Sequence, residues 1–303
     1  MKFSITIGIP AHNEEQNIGY LLKSIYKQRG DHFQIKNILL VCDGCTDDTA
    51  SVARTNKRST IPLRIIEHNS RSGKMHVLNE IYEANTSDIL ITLDADLVLA
   101  SEDAIRLIAE AFADPAVALA VPHQLPVQVS GFIAGACRAS DMLWIYTRMY
   151  TNHGNSIHNL LGCATAMRAD VAQKVRYPED LNNDCDYLYM VGKRFGTFRY
   201  VYKALLWYRT PATLHDFWLI ASRAIFYRRA SVRKYFGIRL DQEKHIPIWY
   251  KLRGIGTSIL HEPIPTIGAL ILNLIVRIAP YKKKGVKSKT WEMAKSARRA
   301  IVI

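Results

Sequence analysis

Strand-like and helix-like segments alternate along the first 121 residues, and this order is the strongest constraint on the fold. Short runs of apolar and β-branched residues predict five strands, at Ile5–Ile9, Ile38–Cys42, Leu63–Ile66, Ile89–Leu93 and Val117–Val121. A helix is predicted between each pair of neighbouring strands. Such alternation requires right-handed crossovers and predicts an α/β fold with a mostly parallel central sheet. Ligands bind to such a sheet at the carboxyl ends of its strands.

Four polar loops follow the first four predicted strands, and each contains groups suited to a nucleotide and its phosphates. They are Pro10–Asn17, Asp43–Thr46, His68–Lys74 and Asp94–Asp96. In the last loop, two carboxylates separated by one residue come directly after a buried strand. They can hold a hard divalent cation through oxygen ligands and, through the cation, a phosphate. The alternative is an acidic turn that only closes the strand, because Asp is common in turns.

Other phosphate-binding and metal-binding patterns are incomplete. Ser72-Gly73-Lys74 is similar to the end of a P-loop, but His68 occupies the required glycine position and Met75 replaces the Ser or Thr. The sequence contains no G-x-G-x-x-G pattern either, which disfavours kinases, NTPases and dinucleotide enzymes. Cys42 and Cys45 have the spacing of a redox or zinc pair, but no second pair follows, so packing is the favoured interpretation. Five cysteines, an odd number, favour a reducing compartment.

Taken together and in order, the four loops resemble the nucleotide-sugar glycosyltransferases of family 2, which have the GT-A fold. Ile9–Glu15 is similar to the family's Pro-x-x-Asn-Glu segment, and Val41–Thr49 to its Asp-Gly-Ser-Thr-Asp loop. Gly73–Asn79 is similar to its Gly-Lys-x-x-Ala-Leu-Asn helix start, and Asp94–Asp96 to its D-x-D motif. The resemblance implies a mostly parallel sheet in an α/β/α sandwich, a nucleotide-sugar donor and a divalent cation, Mn²⁺ or Mg²⁺.

The resemblance also implies roles for single residues. Asp96 is the first choice for direct metal contact, and Asp94 contacts the metal or the ribose. Asp43 accepts a hydrogen bond from a base N–H, Glu14 accepts one from the ribose or base, and Lys74 adds charge near the phosphates. The residues expected to bind the donor nucleotide are Pro10, Glu14, Asp43, Lys74 and Asp94. The cation would neutralise the diphosphate leaving group.

Weaker similarities continue beyond residue 122. Gly162–Arg168 is similar to the family's Gly-rich strand under the acceptor site, and Asn183–Tyr187 to a Glu-Asp-x-Asp-Leu segment whose first Asp is the general base. By position that base is Asp184, although Asn183 replaces the usual Glu. A helix N-cap is the alternative role for Asp184, and Asp186 is the reserve candidate for the base.

Two helices are predicted from local patterns, one in each half of the chain. Thr46 is expected to be the N-cap of the helix after the second strand. Thr213–Tyr235 is predicted to be one long helix rich in arginine. Processive family members carry Gln-x-x-Arg-Trp in such a helix, whereas this chain has Ser222–Phe226. Arg223 is therefore a reserve residue for the acceptor, and long polymer synthesis is disfavoured.

The last third of the chain carries the whole positive charge. Residues 1–208 contain 21 Lys and Arg against 22 Asp and Glu, whereas residues 209–303 contain 19 against 5. Ile264–Ile278 is apolar, and five lysines follow it, at Lys282, Lys283, Lys284, Lys287 and Lys289. Fifteen helical residues cover about 22 Å, less than the roughly 30 Å of a bilayer core. The pattern predicts an interfacial or re-entrant helix with a polybasic anchor; a buried core helix beside a solvated loop is the alternative.

These observations predict a catalytic domain at residues 1–208 and a basic, helical, membrane-associated region at 209–303. Residues 1–122 would bind the nucleotide-sugar and residues 123–208 would face the acceptor. The expected reaction is metal-dependent, inverting transfer of a sugar from a nucleotide-sugar, first a UDP-sugar, to a hydroxyl of a lipid-linked or glycan acceptor. Two alternatives are a sugar-phosphate nucleotidyltransferase, for which the loop at Pro10–Asn17 is acidic and lacks glycine, and a non-catalytic polybasic membrane-binding module.

The expected location is the cytoplasmic side of the cell membrane, as a peripheral or monotopic protein. Met1-Lys2-Phe3 leads directly into a strand without the pattern of a signal peptide. An anionic membrane surface is the expected partner of the basic region. Nucleic acid is a disfavoured partner, because the basic residues do not alternate with aromatic residues that could stack on bases.

Overall fold

The computed structural model describes residues 2–181, 183–279 and 294–301, with the backbone alone at residues 226–230. The predicted lysine anchor, Lys282–Lys289, lies outside the described residues. Two compact units are present: residues 1–124, 160–208 and 300–303 form unit 1, and residues 125–159 and 209–299 form unit 2. The structure therefore groups residues 125–159 with the C-terminal region, whereas the sequence-based division placed them in the acceptor-facing half.

One mixed sheet of eight strands forms within the described residues. The strands are β1 (Phe3–Ala11), β2 (Phe33–Asp43), β3 (Leu63–His68), β4 (Ile89–Leu93), β5 (Val98–Leu99), β6 (Val117–Pro126), β7 (Ala164–Arg168) and β8 (Thr197–Tyr208). Their order is β3-β2-β1-β4-β7-β6-β8-β5. β3, β2, β1 and β4 run parallel, whereas β7 is antiparallel to both β4 and β6. The α/β prediction is confirmed, and each of the five predicted strands lies within an observed one.

Helices connect the strands and form most of unit 2. They are α1 (Ile18–Tyr26), α2 (Thr49–Thr55), α3 (Lys74–Glu83), α4 (Ala104–Glu110), α5 (Phe132–Met149), α6 (Ala169–Lys174), α7 (Asp184–Gly192), α8 (Leu214–Ser222), α9 (Arg228–Phe236), α10 (Ile238–Glu243), α11 (Ile248–His261) and α12 (Pro263–Ile278). The predicted helix at Thr213–Tyr235 is helical but interrupted, because a π-helical turn at Arg223–Tyr227 separates α8 from α9.

The core of unit 1 lies where the parallel strands meet the helices that cross them. Alternate residues of β1, among them Ile5 and Ile7, are fully buried, as are Leu21 and Leu22 of α1. Each such side chain contributes about 1.5 to 3 kcal/mol by leaving water. Gly8 of β1 has a second role, because a Cβ there would collide with the side chain of Ile81 on α3. The glycine lets α3 lie directly on the sheet and so holds its first residue, Lys74, at the carboxyl edge.

Small residues bring the helices of unit 2 together. A Cβ at Gly254 of α11 would collide with Thr147 of α5, and one at Gly268 of α12 would lie 2.9 Å from Ala136 of α5. An ion pair also joins α5 to the α11–α12 turn, between Arg138 and Glu262. The close contact of α5 with both C-terminal helices explains why residues 125–159 belong to this unit.

Most of the large apolar residues of α12 point away from this packing. The helix buries Thr266, Gly268, Ala269, Leu272 and Val276. Seven large aliphatic residues are 36% to 75% exposed, at Ile264, Ile267, Leu270, Ile271, Leu274, Ile275 and Ile278. On α11, Trp249 and Leu260 are exposed at 67% and 84%. In the described part of the chain, no helix combines the length and the apolar content that crossing a bilayer requires.

Candidate active site

Asp94 and Asp96 follow β4 at the carboxyl edge of the parallel strands. The backbone N–H of Asp94 donates to Cys163 O over 2.7 Å, which ties this turn to the residue before β7. The Asp94 carboxylate is paired, because Lys74 Nζ lies 2.8 Å from Oδ1 and 2.9 Å from Oδ2. Asp96 is half-buried, and its carboxylate makes no hydrogen bond or ion pair with any residue that the structure describes. Of the two acids, Asp96 is therefore the one free to bind a ligand.

Lys74 joins the D-x-D turn to the predicted general base. Its Nζ lies 3.2 Å from Asp184 Oδ2 and donates to Gly162 O over 2.9 Å, besides contacting Asp94. Burial opposes the lysine's charge, but Asp184 and Asp94 outweigh this effect and raise the pKa of Lys74 well above its usual value. Burial raises the pKa of Asp94 to about 6, against the opposing effect of Lys74. The lysine thus stays charged and brings two acids that are 90 residues apart in sequence to one point.

Asp184 is the first residue of α7 and is only 6% exposed. The N-cap of α7 is Asn183, whose side chain accepts from Asp186 N and donates through Nδ2 to Asp186 Oδ2 over 2.7 Å. The alternative role of Asp184 as the N-cap is therefore wrong, because Asn183 fills that position. The same contacts engage the reserve candidate, Asp186, with the cap, while Asp184 contacts Lys74.

A glycine makes room for Asp184. Gly162 has φ +78°, and a Cβ there would lie 2.7 Å from Asp184 Oδ2 and 2.7 Å from Cys185 Sγ. Any side chain would therefore displace the carboxylate as well as strain the backbone. Gly162 and Asp184 also line a small cavity together with Thr92 and Tyr177. The backbone of residue 162 thus forms part of the wall next to the proposed base.

Asp43 ends β2 and holds the loop that precedes α3. Its Oδ1 accepts from Ser72 N over 2.6 Å and from Ser72 Oγ over 2.7 Å, and its Oδ2 accepts from Gly73 N over 2.8 Å. Burial would raise the pKa of this carboxyl, but the hydrogen bonds from Ser72 and Gly73 outweigh it and lower the pKa. Contact with a nucleotide base stays a prediction. The observed role is to position the loop that carries Lys74.

Hydrogen bonds join the polar loop after β1 to the polar loop after β2. Asn13, with φ +57°, accepts at Oδ1 from Thr46 N over 2.8 Å and donates from Nδ2 to Thr46 Oγ1 over 3.1 Å. The N–H of Glu14 donates to Thr49 Oγ1 over 2.7 Å. Thr46 is therefore part of this link, and its predicted role as the cap of α2 is wrong, because Asp48 occupies the N-cap position. These contacts hold the end of β1 beside the end of β2.

The remaining predicted donor residues lie at this same edge. Pro10 is the penultimate residue of β1 and is half-buried. The carboxylate of Glu14 accepts from Asn17 Nδ2 over 2.9 Å, and the residue is 5% exposed. Arg223 belongs to unit 2, at the first position of the π-helical turn. The roles of these three residues stay predictions.

The acids of the D-x-D turn fit a divalent cation that completes its shell with substrate. Within the described residues, no group of three or more His, Cys, Asp or Glu side chains could hold a metal alone. Mg²⁺ and similar ions are commonly held by one or two carboxylates plus substrate phosphates and water. Asp96 offers a carboxylate with no partner in the described structure, and Asp94 offers one already paired with Lys74. We therefore expect Asp96 to make the direct contact.

Comparison with known proteins identifies the family. Residues 6–176 match the sequence profile described as "Glycosyl transferase family 2". The chain belongs to this family. The four loops and β7 lie within the matched range, so the resemblance seen in the sequence is confirmed. The match favours a glycosyltransferase over the nucleotidyltransferase and non-catalytic alternatives.

Individual relatives are more distant. A 4,4'-diaponeurosporenoate glycosyltransferase of Staphylococcus aureus is 32% identical over 103 residues, which is 34% of this chain and 26% of the relative. A mannosyltransferase from Pyrobaculum calidifontis, solved in complex with GDP-Man and Mn²⁺, has a TM-score of 0.58 at 18% identity, over 93% of this chain and 77% of that one.

A second solved structure has a similar fold. Glucosyl-3-phosphoglycerate synthase from Mycobacterium tuberculosis, in complex with Mn²⁺, UDP and phosphoglyceric acid, has a TM-score of 0.52 at 16% identity. That likeness covers 78% of this chain and 79% of the synthase. The two structural likenesses confirm the GT-A type of fold. The chain matches only about a quarter of the length of its curated S. aureus relatives.

Proposed function

We propose that this family 2 enzyme transfers a sugar from a nucleotide-sugar, first a UDP-sugar, to a hydroxyl of a lipid-linked or glycan acceptor. The observation that carries the proposal is the position of Lys74, whose Nζ contacts both Asp94 and Asp184. The proposed donor-binding acid and the proposed base therefore lie within reach of one ammonium group. The structurally similar mannosyltransferase and synthase bind GDP-Man or UDP together with Mn²⁺, which supports a nucleoside diphosphate leaving group.

The proposed mechanism is a single displacement at the anomeric carbon. Asp184 accepts the proton of the acceptor hydroxyl as the hydroxyl oxygen forms a bond to the anomeric carbon. The bond from that carbon to the phosphate oxygen breaks, and the nucleoside diphosphate departs with the electron pair. Because attack and departure occur on opposite faces, the anomeric centre is inverted. Asp96 and Asp94 would hold Mn²⁺ or Mg²⁺, which stabilises negative charge on the leaving diphosphate.

Lys74 has two functions in this scheme. In the described structure it neutralises the half-buried Asp94 and the buried Asp184, two acids that would otherwise repel each other. When a diphosphate is bound, the ammonium group also lies on the side of the developing negative charge. A half-buried lysine beside both acids therefore serves positioning and electrostatic stabilisation together.

We further propose that unit 2 docks on an anionic lipid bilayer. The exposed aliphatic residues of α12 cover one side of the helix, while its small residues pack inward. The occupant is argued from charge: the last third of the chain carries 19 basic and 5 acidic residues. Apolar area and basic charge together are what binding to an anionic leaflet uses. Five free cysteines among the described residues agree with the cytoplasmic face.

Nucleotide binding and turnover test the catalytic proposal. UDP and GDP, each with and without Mn²⁺, should raise the melting temperature of the native protein only when the metal is present. Asp96→Asn should lose this metal-dependent increase, whereas Asp184→Asn should keep it. With donor and acceptor, Asp184→Asn should lower kcat by about a hundredfold to ten-thousandfold.

Asp186→Asn is the matched control for the base. It removes a carboxylate in the same helix turn, one that contacts Asn183 and not Lys74. Its kcat should therefore fall far less than that of Asp184→Asn. A larger loss in Asp186→Asn would assign the base to Asp186. Absence of any metal-dependent stabilisation by either nucleotide would contradict the donor proposal.

A further inference from the structure

A buried arginine without a carboxylate partner lies at the end of α5. Arg148 is 7% exposed, and no acid pairs with its guanidinium in the part of the chain that the structure describes. Its Nε is buried and has no hydrogen-bond partner there. The carbonyl end of α5 offsets part of the charge, but it leaves Nε unsatisfied. A buried, always-charged group in this state is destabilising unless an anion accompanies it.

Further unsatisfied polar atoms follow in the next loop of unit 2. Ser156 is 6% exposed, and its Oγ is buried with no hydrogen-bond partner among the described residues. His158 Nε2 is also buried and has no hydrogen-bond partner there. The loop has a specific shape, because Asn152 and His153 adopt positive φ angles of 47° and 50°. Hydroxyl, imidazole and guanidinium groups can all donate to one oxyanion. The segment thus supplies several donors and no carboxylate.

Two lysines add to the positive charge around His158. Burial, followed by Lys244, Arg148 and Lys251, lowers the pKa of His158, so all three cations lie near the imidazole. Lys251 on α11 is exposed, Lys244 before α11 is half-buried and Arg148 is buried. The cations therefore extend from the surface of unit 2 into its interior. Such an arrangement attracts an anion and leads it inward.

We propose that Arg148, Ser156, His158, Lys244 and Lys251 form a binding site for a phosphate or diphosphate group. A planar guanidinium can donate two parallel hydrogen bonds to phosphate oxygens, and the lysines would neutralise the remaining charge. The site is inferred independently of the proposed function. The further step, that the phosphate is part of a phosphorylated acceptor, rests on the proposed function. A lipid headgroup and a free phosphate offer the same chemistry, and the experiment distinguishes them.

The first measurement is calorimetric binding of pyrophosphate in EDTA, so that no cation-dependent binding at Asp96 contributes. Native protein should bind it, Arg148→Gln should weaken binding about tenfold or more, and the exposed Lys251→Gln should weaken it about twofold to threefold. Arg253→Gln is the matched control, since Arg253 is also on α11 but lies over the ring of Tyr150. Its affinity should equal that of the native protein.

The second measurement identifies the source of the phosphate. Native protein and Lys251→Gln are floated with phosphatidylcholine vesicles that contain or lack dodecyl phosphate. A Lys251-dependent gain with dodecyl phosphate indicates a lipid headgroup; pyrophosphate binding without that gain indicates a free phosphate. No binding of either probe, or equal weakening by Arg253→Gln, would overturn the proposal. Metal-dependent UDP binding in the same preparations reports separately on the proposed function.

Discussion

At the scale of single residues, the proposed site depends on a glycine, Gly162, as well as on its charged side chains. Gly162 accepts a hydrogen bond from Lys74 through its carbonyl and leaves room for Asp184 through its missing Cβ. One position thus serves both partners of the central ion pair.

Gly162→Ala should therefore impair catalysis and stability together. A methyl group at φ +78° strains the backbone, and it would also displace the Asp184 carboxylate. We expect a loss of about 2 kcal/mol in unfolding free energy and a clear fall in kcat. Gly131→Ala is the control, since Gly131 has φ +94° with no atom within 4 Å of the added Cβ. It should lose stability only; an equal kcat in both variants would refute the role of Gly162.

His158 should make stability depend on pH. Burial and the nearby cations lower its pKa to about 4 from an ordinary value of 6.5. Between these pH values the unfolded chain binds more protons than the folded one, so stability rises with pH and is lost as pH falls from 6.5 to 4. His158→Gln should remove on the order of 2 kcal/mol of this change. Denaturant unfolding at several pH values measures it; parallel profiles for native and variant would contradict the prediction.

At the scale of elements, α7 depends on its cap. Asn183 bonds to the backbone N–H and the carboxylate of Asp186, which fixes the first turn where Asp184 lies. The residue that departs from the family's usual Glu is thus a good N-cap, since Asn ranks among the strongest capping residues. The substitution changes how the helix begins while leaving the next residue in place.

Removing the cap should loosen the base without removing it. Asn183→Ala should cost about 1 kcal/mol of unfolding free energy, and kcat should fall while metal-dependent nucleotide binding is unchanged. Asn183→Ser retains a side-chain acceptor for the first turn, and both quantities should recover in it. If Ser behaves like Ala, the effect of residue 183 does not arise from capping.

At the scale of the whole molecule, charge and apolar exposure are both concentrated toward the C-terminal end of the chain. Unit 1 has the acids and the lysine of the proposed site, whereas unit 2 has the exposed faces of α11 and α12. Exposed aliphatic residues on a helix whose small residues are buried reverse the usual pattern of a water-facing helix. A lipid bilayer would accommodate this pattern.

Vesicle flotation tests the bilayer at this scale. Replacing Ile267, Ile271 and Leu274 of α12 by Gln should lower partition onto vesicles of phosphatidylcholine and phosphatidylglycerol by about a hundredfold. Adding salt should weaken binding of the native protein, because part of the attraction is electrostatic. The control replaces Leu214 and Ile238 by Gln; these residues are also more than half exposed but lie on α8 and α10. Equal partition of all three proteins would contradict membrane docking.

Much of unit 1 could be predicted because its signals are local. Runs of β-branched residues identified β4 with its observed bounds, and the polar loops after β1 to β4 do meet at one edge. The helix caps were less predictable. Thr46 and Asp184 both have side chains suited to an N-cap, yet Asp48 is the N-cap of α2 and Asn183 is the N-cap of α7. Several residue types can cap a helix, and tertiary hydrogen bonds such as Asn13 to Thr46 decide among them.

The sequence by itself determined the strand and helix order, the family and the acids after β4, because apolar periodicity and short motifs depend on neighbouring residues. Only the tertiary structure decided that Lys74 joins Asp94 to Asp184, that Gly162 makes room for that base, and that α12 exposes most of its large aliphatic residues on one side. These features depend on contacts between segments distant in sequence. The D-x-D acids were visible in the sequence, but their link to the proposed base required packing of α3 and α7.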